Sequence, residues 1–148
     1  MTIDVDVQKA TTFAPLPDQA LLNLWVETAL SGKKDAELTL RLVDQDESRD
    51  LNSRYRGKDQ PTNVLSFPAE LPPGIDIPLL GDIVICAPLV GAEAAAQHKS
   101  WQSHWAHLVI HGVLHLLGHD HQDEKEAAEM EAIEVDLLAS LGFGDPYT

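Results

Sequence analysis

The chain carries seven histidines, and the spacing of three of them has the most chemistry in it. They lie in the segment His111-Gly112-Val113-Leu114-His115-Leu116-Leu117-Gly118-His119-Asp120-His121. On a helix, residues four apart are offset by about 40° around the axis and one turn along it, so His111 and His115 project from one face and can share a metal ion. Gly118 can take the left-handed conformation that ends a helix and folds the chain back, delivering a third nitrogen from His121. Three neutral imidazoles with an open fourth position describe a catalytic zinc site. On spacing alone His119 competes with His121 for the third place.

Each histidine also has an ordinary reading as a hydrogen-bonded core residue. Here Val109, Ile110, Val113, Leu114, Leu116 and Leu117 surround the pair, and an imidazole buried among them needs partners for both ring nitrogens. His107, four residues before His111 on the same face, reads first as structural and second as a supporting group or base; His104 reads as structural. Asp120 and Asp123 are candidates to orient a ligand imidazole through its free N–H. A helix N-cap is the equal alternative for Asp123.

The positions of His111, His115, Gly118 and His121 match the zincin pattern H-E-x-x-H-x-x-G-x-x-H, except that residue 112 is Gly. In that pattern the glutamate takes a proton from water on the metal, so the scaffold is kept without the usual proteolytic base. Peptide hydrolysis is disfavoured on this ground.

The elements that must position these residues divide the chain in two. Alternating Ile3, Val5 and Val7 predict a strand, Asp18 caps a helix carrying Leu21, Leu22, Trp25 and Leu30, and Leu38, Leu40 and Leu42 mark a second strand. Asp44 or Asp46 can cap a short helix through Leu51 and Tyr55 that Gly57 stops. Asn63–Phe67 reads as a strand closed by Pro68, residues 70–80 as a Pro- and Gly-containing surface loop, and Gly81–Ala87 as a strand. Helices are expected over Ala92–Gln97, Gln102–Leu117 and Asp123–Leu141. In the last, Ala127, Met130, Ile133, Leu137 and Leu141 form the apolar face, and the glutamates, Glu134 among them, read as a solvated one. The whole predicts one small α+β domain over residues 1–148, with about four strands in a mixed sheet, about five helices and the metal site on a central helix.

Composition narrows the function. Cys86, the lone cysteine, excludes an intrachain disulfide scaffold and reads as a small buried hydrophobe. The N-terminus has neither a basic n-region nor an apolar h-region, and no segment is long and apolar enough to span a bilayer, so a soluble cytoplasmic protein with no membrane partner is expected. A formal charge of −14 argues against a protein that coats nucleic acid through its overall field. Seven of the ten basic residues fall between Lys33 and Lys58 (Lys33, Lys34, Arg41, Arg49, Arg54, Arg56 and Lys58), so contact with an anionic substrate should be local to that region.

The histidine segment resembles the H-G-x-L-H-L-x-G-y-D-H signature of the YbeY family of ribosomal RNA maturation endoribonucleases, also known as a family of predicted metal hydrolases. Residues 51–68, from Leu51 through Tyr55-Arg56-Gly57 to Ser66-Phe67-Pro68, look like that family's second block. Leu80–Cys86 looks like its third. The likeness runs from about residue 36 through the closing Gly-Phe-Gly-Asp-Pro-Tyr, with the first 35 residues only loosely matched.

The resemblance implies an α+β fold around a metal-bearing helix. It also implies a bacterial cytoplasmic, single-strand-specific endoribonuclease acting in 16S rRNA 3′-end maturation and ribosome quality control. It carries metal-ligand roles onto His111, His115 and His121, with one Zn2+ per chain, and a functional role onto Arg56, which would otherwise read as a surface salt bridge. Implied partners are single-stranded rRNA, the small ribosomal subunit, and ribosomal proteins or assembly factors, with no DNA. The alternatives are a ribosome-assembly factor with a structural zinc and, behind it, a metallopeptidase with a displaced base.

Overall fold

A computed structural model of the chain describes residues 2–32 and 35–148; Lys33 and Lys34 of the expected basic region lie outside the described residues. The elements run β1 (Thr2–Ala10), α1 (Gln19–Leu30), β2 (Asp35–Val43), α2 (Gln45–Arg56), β3 (Val64–Pro68), β4 (Leu79–Cys86), α3 (Ala87–Ala96), α4 (Trp101–Leu116) and α5 (Glu124–Ser140). The four strands form one mixed sheet in the order β1-β2-β4-β3, with β1, β2 and β4 parallel and β3 antiparallel to β4 at one edge. This is the expected α+β domain, four strands and five helices.

Alternation along the central strands sends side chains to two cores. Leu38, Leu40 and Leu42 of β2 and Ile83 and Ile85 of β4 meet Leu22, Trp25 and Val26 of α1 and Trp105, Val109, Ile110 and Val113 of α4. On the other face Val43, Leu65, Val84 and Cys86 form a smaller cluster with Leu51 of α2 and Phe67. Ten of the sixteen residues of α4 are buried, and it packs on α1, α3, α5, β3 and β4, so a residue on this helix is held from every side.

Helix ends follow the sequence signals. Asp18 accepts from the Leu21 N–H at the start of α1, Ser100 caps α4 and Asp123 caps α5. Asp44 stands at the N-cap of α2 but accepts from the Thr11 hydroxyl instead of a helix N–H. Gly57 ends that helix with φ of +70°. Two boundaries differ from expectation by more than one residue, the others by one, with Pro68 the last residue of β3. β4 starts at Leu79, because its first residues extend along β2, and α3 starts at Ala87, because Pro88 fits the first turn of a helix, where its missing N–H leaves no bond unmade.

The acidic face assigned to α5 is wrong at one position. Met130, Glu134 and Leu138 are the buried residues of this helix, an i, i+4, i+8 stripe, whereas Ala127, Ile133, Leu137 and Leu141 are half-buried. The buried face is rotated from the one expected, and Glu134 lies in its middle at 0% exposure.

Candidate metal centre

The last turns of α4 set the geometry. His111 and His115 stand one turn apart, and at the helix end the Gly118 N–H bonds to the His115 carbonyl at 3.0 Å and the His119 N–H to the Leu114 carbonyl at 3.0 Å. That pair of bonds with Gly118 at φ +100° is a Schellman ending, and a side chain at 118 would be strained by conformation although no neighbour fills the space. The reversal brings His121 back over the helix. One nitrogen from each of His111, His115 and His121 lies within 4.8 Å of the others. His119 is exposed at the same cleft but outside this cluster.

The donors fit a metal. His111 Nε2 and His115 Nε2 are 3.1 Å apart. Two nitrogens each bound to one zinc at its usual bond length stand about 3.3 Å apart at the tetrahedral angle. Burial, followed by the nearby His111 and His121 rings, lowers the His115 pKa to about 4, so its imidazole is neutral at physiological pH.

Behind the trio lies a group the sequence reading misplaced. His111 Nδ1 is 2.6 Å from Glu134 Oε1, His107 Nε2 is 2.9 Å from Glu134 Oε2, and the Tyr147 hydroxyl donates to Glu134 Oε2. Burial alone would push the Glu134 carboxyl up, but hydrogen bonds from His107, His111 and Tyr147 together hold it at about 2. An ionised carboxylate only accepts, so the proton in its bond with His111 sits on Nδ1 and leaves the Nε2 lone pair toward His115. The expected orienting groups do other work: Asp120 accepts from the His121 backbone N–H, and Asp123 accepts from the Glu126 N–H as an N-cap. His107 bonds Glu134 at 2.9 Å and stays outside the His111–His115–His121 cluster. His104 bonds Glu93 at 2.9 Å, and Glu93 in turn accepts from Asn63 Nδ2. The one local signal for Glu134, its spacing of four residues from both Met130 and Leu138, does not single it out in a glutamate-rich helix.

The trio opens on a cleft of about 730 Å³ whose walls include Arg56, Thr62, Asn63, Ser66, His119 and Asp120. Ser48 and Asn52, both buried on α2, bond the backbone of Thr62 and Gln60 and so fix the loop after α2 against the helix. Ser66 donates to the Gly112 carbonyl at 3.2 Å, which ties β3 to α4. Arg41, Arg49 and Arg54 each hold a carboxylate; Arg56 makes no ion pair among the described residues and lines the cleft as a free guanidinium. Gly112 faces away from the cleft, into the sheet. A Cβ there would stand 2.9 Å from Ile83 Cγ2, so the zincin glutamate has no room at this position.

A family profile described as "Endoribonuclease YbeY" matches residues 6–142. This chain belongs to the YbeY family. The match begins well before residue 36, so the first strand and helix share in a likeness that the motifs alone placed later. Membership gives an endoribonuclease acting on RNA in rRNA processing, and the family is one of metal-dependent nucleases. The solution structure of TM1509 from Thermotoga maritima has the same fold, with a TM-score of 0.58 and 24% identity over 99% of each chain. Among the described residues no helix is long and apolar enough to cross a membrane.

Proposed function

We propose that this YbeY protein is a zinc-dependent, single-strand-specific endoribonuclease of the bacterial cytoplasm. Its work is maturation of the 16S rRNA 3′ end and ribosome quality control, on the small ribosomal subunit and with ribosomal proteins or assembly factors as partners. Residues 1–148 form one hydrolase domain. His111, His115 and His121 hold one zinc ion and Arg56 is the catalytic side chain. The observation that carries this reading is the convergence of three imidazoles at the floor of a cleft that also presents an unpaired arginine.

His111, His115 and His121 would hold the ion through neutral nitrogens, so that a bound zinc would keep its double charge and would supply a water pKa lowered to about 7 and polarisation of a phosphoryl oxygen. Arg56 is always protonated and offers a planar fork of donors, suited to the extra negative charge of a phosphoryl transition state. Freedom from a carboxylate partner keeps that fork available. The loop pinned by Ser48 and Asn52 fixes the wall beside Arg56. The packing of Gly112 on Ile83 bars a base at position 112 only, and the one carboxylate that lines the cleft among the described residues, Asp120, accepts from the His121 backbone N–H.

The test is cleavage of a single-stranded rRNA fragment and of the same sequence as a duplex. The single strand should be cut and the duplex spared, and Arg56→Ala should lower the rate by about 10² to 10³ with zinc content unchanged. Equal cutting of both forms, or loss of zinc in the arginine variant, would refute the assignment.

A further inference from the structure

Glu134 is a costly residue to place where it is. It is fully buried between Met130 and Leu138 on α5, in a stripe where an apolar side chain would pack α5 on α4 equally well. All its bonds go to side chains of the centre or its support: Oε1 to His111 Nδ1 at 2.6 Å, Oε2 to His107 Nε2 at 2.9 Å and to the Tyr147 hydroxyl. Tyr147 lies in the segment that follows α5. Its own placement is fixed by the Asp145 carboxylate, which accepts from the Tyr147 N–H at 2.7 Å, and by Lys99 Nζ, which donates to the Pro146 carbonyl at 2.6 Å. That segment is thereby docked two hydrogen bonds away from His111.

We infer that Glu134 is a positioning residue for the metal ligand His111, and that Tyr147 extends this support so that the segment following α5, residues 145–147, is part of the metal centre. The inference rests on the three-histidine metal reading proposed above. A carboxylate behind a ligand imidazole fixes ring orientation and tautomer and raises the basicity of the coordinating nitrogen. Tyr147 donates to the second oxygen of that carboxylate, which leaves the first for His111. His107, His111 and Glu134 also form a three-donor cluster by distance. A separation of 2.6 Å between His111 Nδ1 and Glu134 Oε1 is that of a shared proton, whereas two ligands of one zinc ion stand about 3.3 Å apart.

The experiment combines long-range nitrogen–proton NMR of the imidazoles in the metal-free protein with zinc dissociation constants from chelator competition, on the wild type, Glu134→Gln and Tyr147→Phe. His111 of the wild type should be the Nδ1–H tautomer, and added zinc should move the resonances of His111, His115 and His121 but leave His107 unligated. The dissociation constant should rise about 10- to 100-fold in Glu134→Gln. Tyr147→Phe should fall between that variant and the wild type. An Nε2–H tautomer at His111, zinc ligation by His107, or unchanged affinity in both folded variants would overturn the inference. Should Glu134→Gln fail to fold, Tyr147→Phe decides, since it removes one hydroxyl from a residue 46% exposed and unaltered affinity there refutes the role of that segment. If zinc moves none of the three imidazoles in the wild type, the metal reading itself falls. Zinc bound at the three imidazoles with unaltered affinity in the variants defeats the positioning role alone.

Discussion

Replacing Gly112 by glutamate would complete a His-Glu-x-x-His sequence, and the packing of α4 on β4 gives the outcome. The first added atom already meets Ile83, with Cγ2 at 2.9 Å and Cδ1 at 3.1 Å, and Ile83 is fully buried on a central strand with a branched side chain that has little room to turn. Overpacking of this kind costs about 1–3 kcal/mol, and an unpaired carboxylate forced into the same interface costs several kcal/mol more, against about 1 kcal/mol gained by removing a helical glycine. The net loss should be at least about 3 kcal/mol, a large part of the stability of a small domain. In equilibrium urea unfolding of the metal-free protein, followed by circular dichroism, the midpoint should fall by about 1 M or more. Gly112→Ala carries only the steric part and should lose no more than about 2 kcal/mol. A Gly112→Glu protein that unfolds at the wild-type midpoint, or that cleaves peptides, would show that side chain 112 reaches the cleft and would refute the packing argument.

Glu134 makes stability pH-dependent. Its folded pKa of about 2 lies below the ordinary value of 4.5, so its contribution is full above pH 4.5 and is lost as pH falls toward 2; the metal-free protein should lose roughly 3 kcal/mol over that window. Urea unfolding at pH 6 and pH 3 checks this, with about 2 kcal/mol of that loss expected by pH 3, and an equal loss in Glu134→Gln would assign the effect elsewhere. Cys86 is fully buried, and burial pushes its thiol pKa up, so a thiol reagent should label it only at the rate of unfolding; fast labelling of the native protein would contradict the placement. With the free cation Arg56 at the cleft and a net charge of −14, RNA binding should weaken gently with salt, at a logarithmic slope shallower than about −2, or some three phosphate contacts. A steep slope would reveal a basic track elsewhere on the molecule.

Local signals in the sequence were enough for most of the fold. Alternation placed β1 and β2, Asp18 and Asp123 meet N–H groups at helix starts, and Gly57 and Gly118 end helices at positive φ. The histidine trio was legible because two of its members are set by helical spacing and the third by a glycine turn close in sequence. Glu134 and Tyr147 were not, because the first comes 23 residues after His111 and the second 36, so only the docking of α5 and the segment after it on α4 brings them together. Glu134 was misread for a further reason: in a helix rich in glutamate, composition hides which single acid falls on the buried stripe. The role of Ser48 and Asn52 in fixing the cleft wall was hidden because their partners are backbone groups of a loop.

The most direct measurement is zinc content of the purified protein and of His115→Ala, paired with cleavage of a single-stranded rRNA fragment before and after chelation. About one zinc per chain, absent from a folded His115→Ala protein, with cleavage lost on chelation and restored by zinc, is the predicted result. Zinc retained in His115→Ala, or full cleavage by the chelated protein, would contradict the claim that the three histidines hold the catalytic metal.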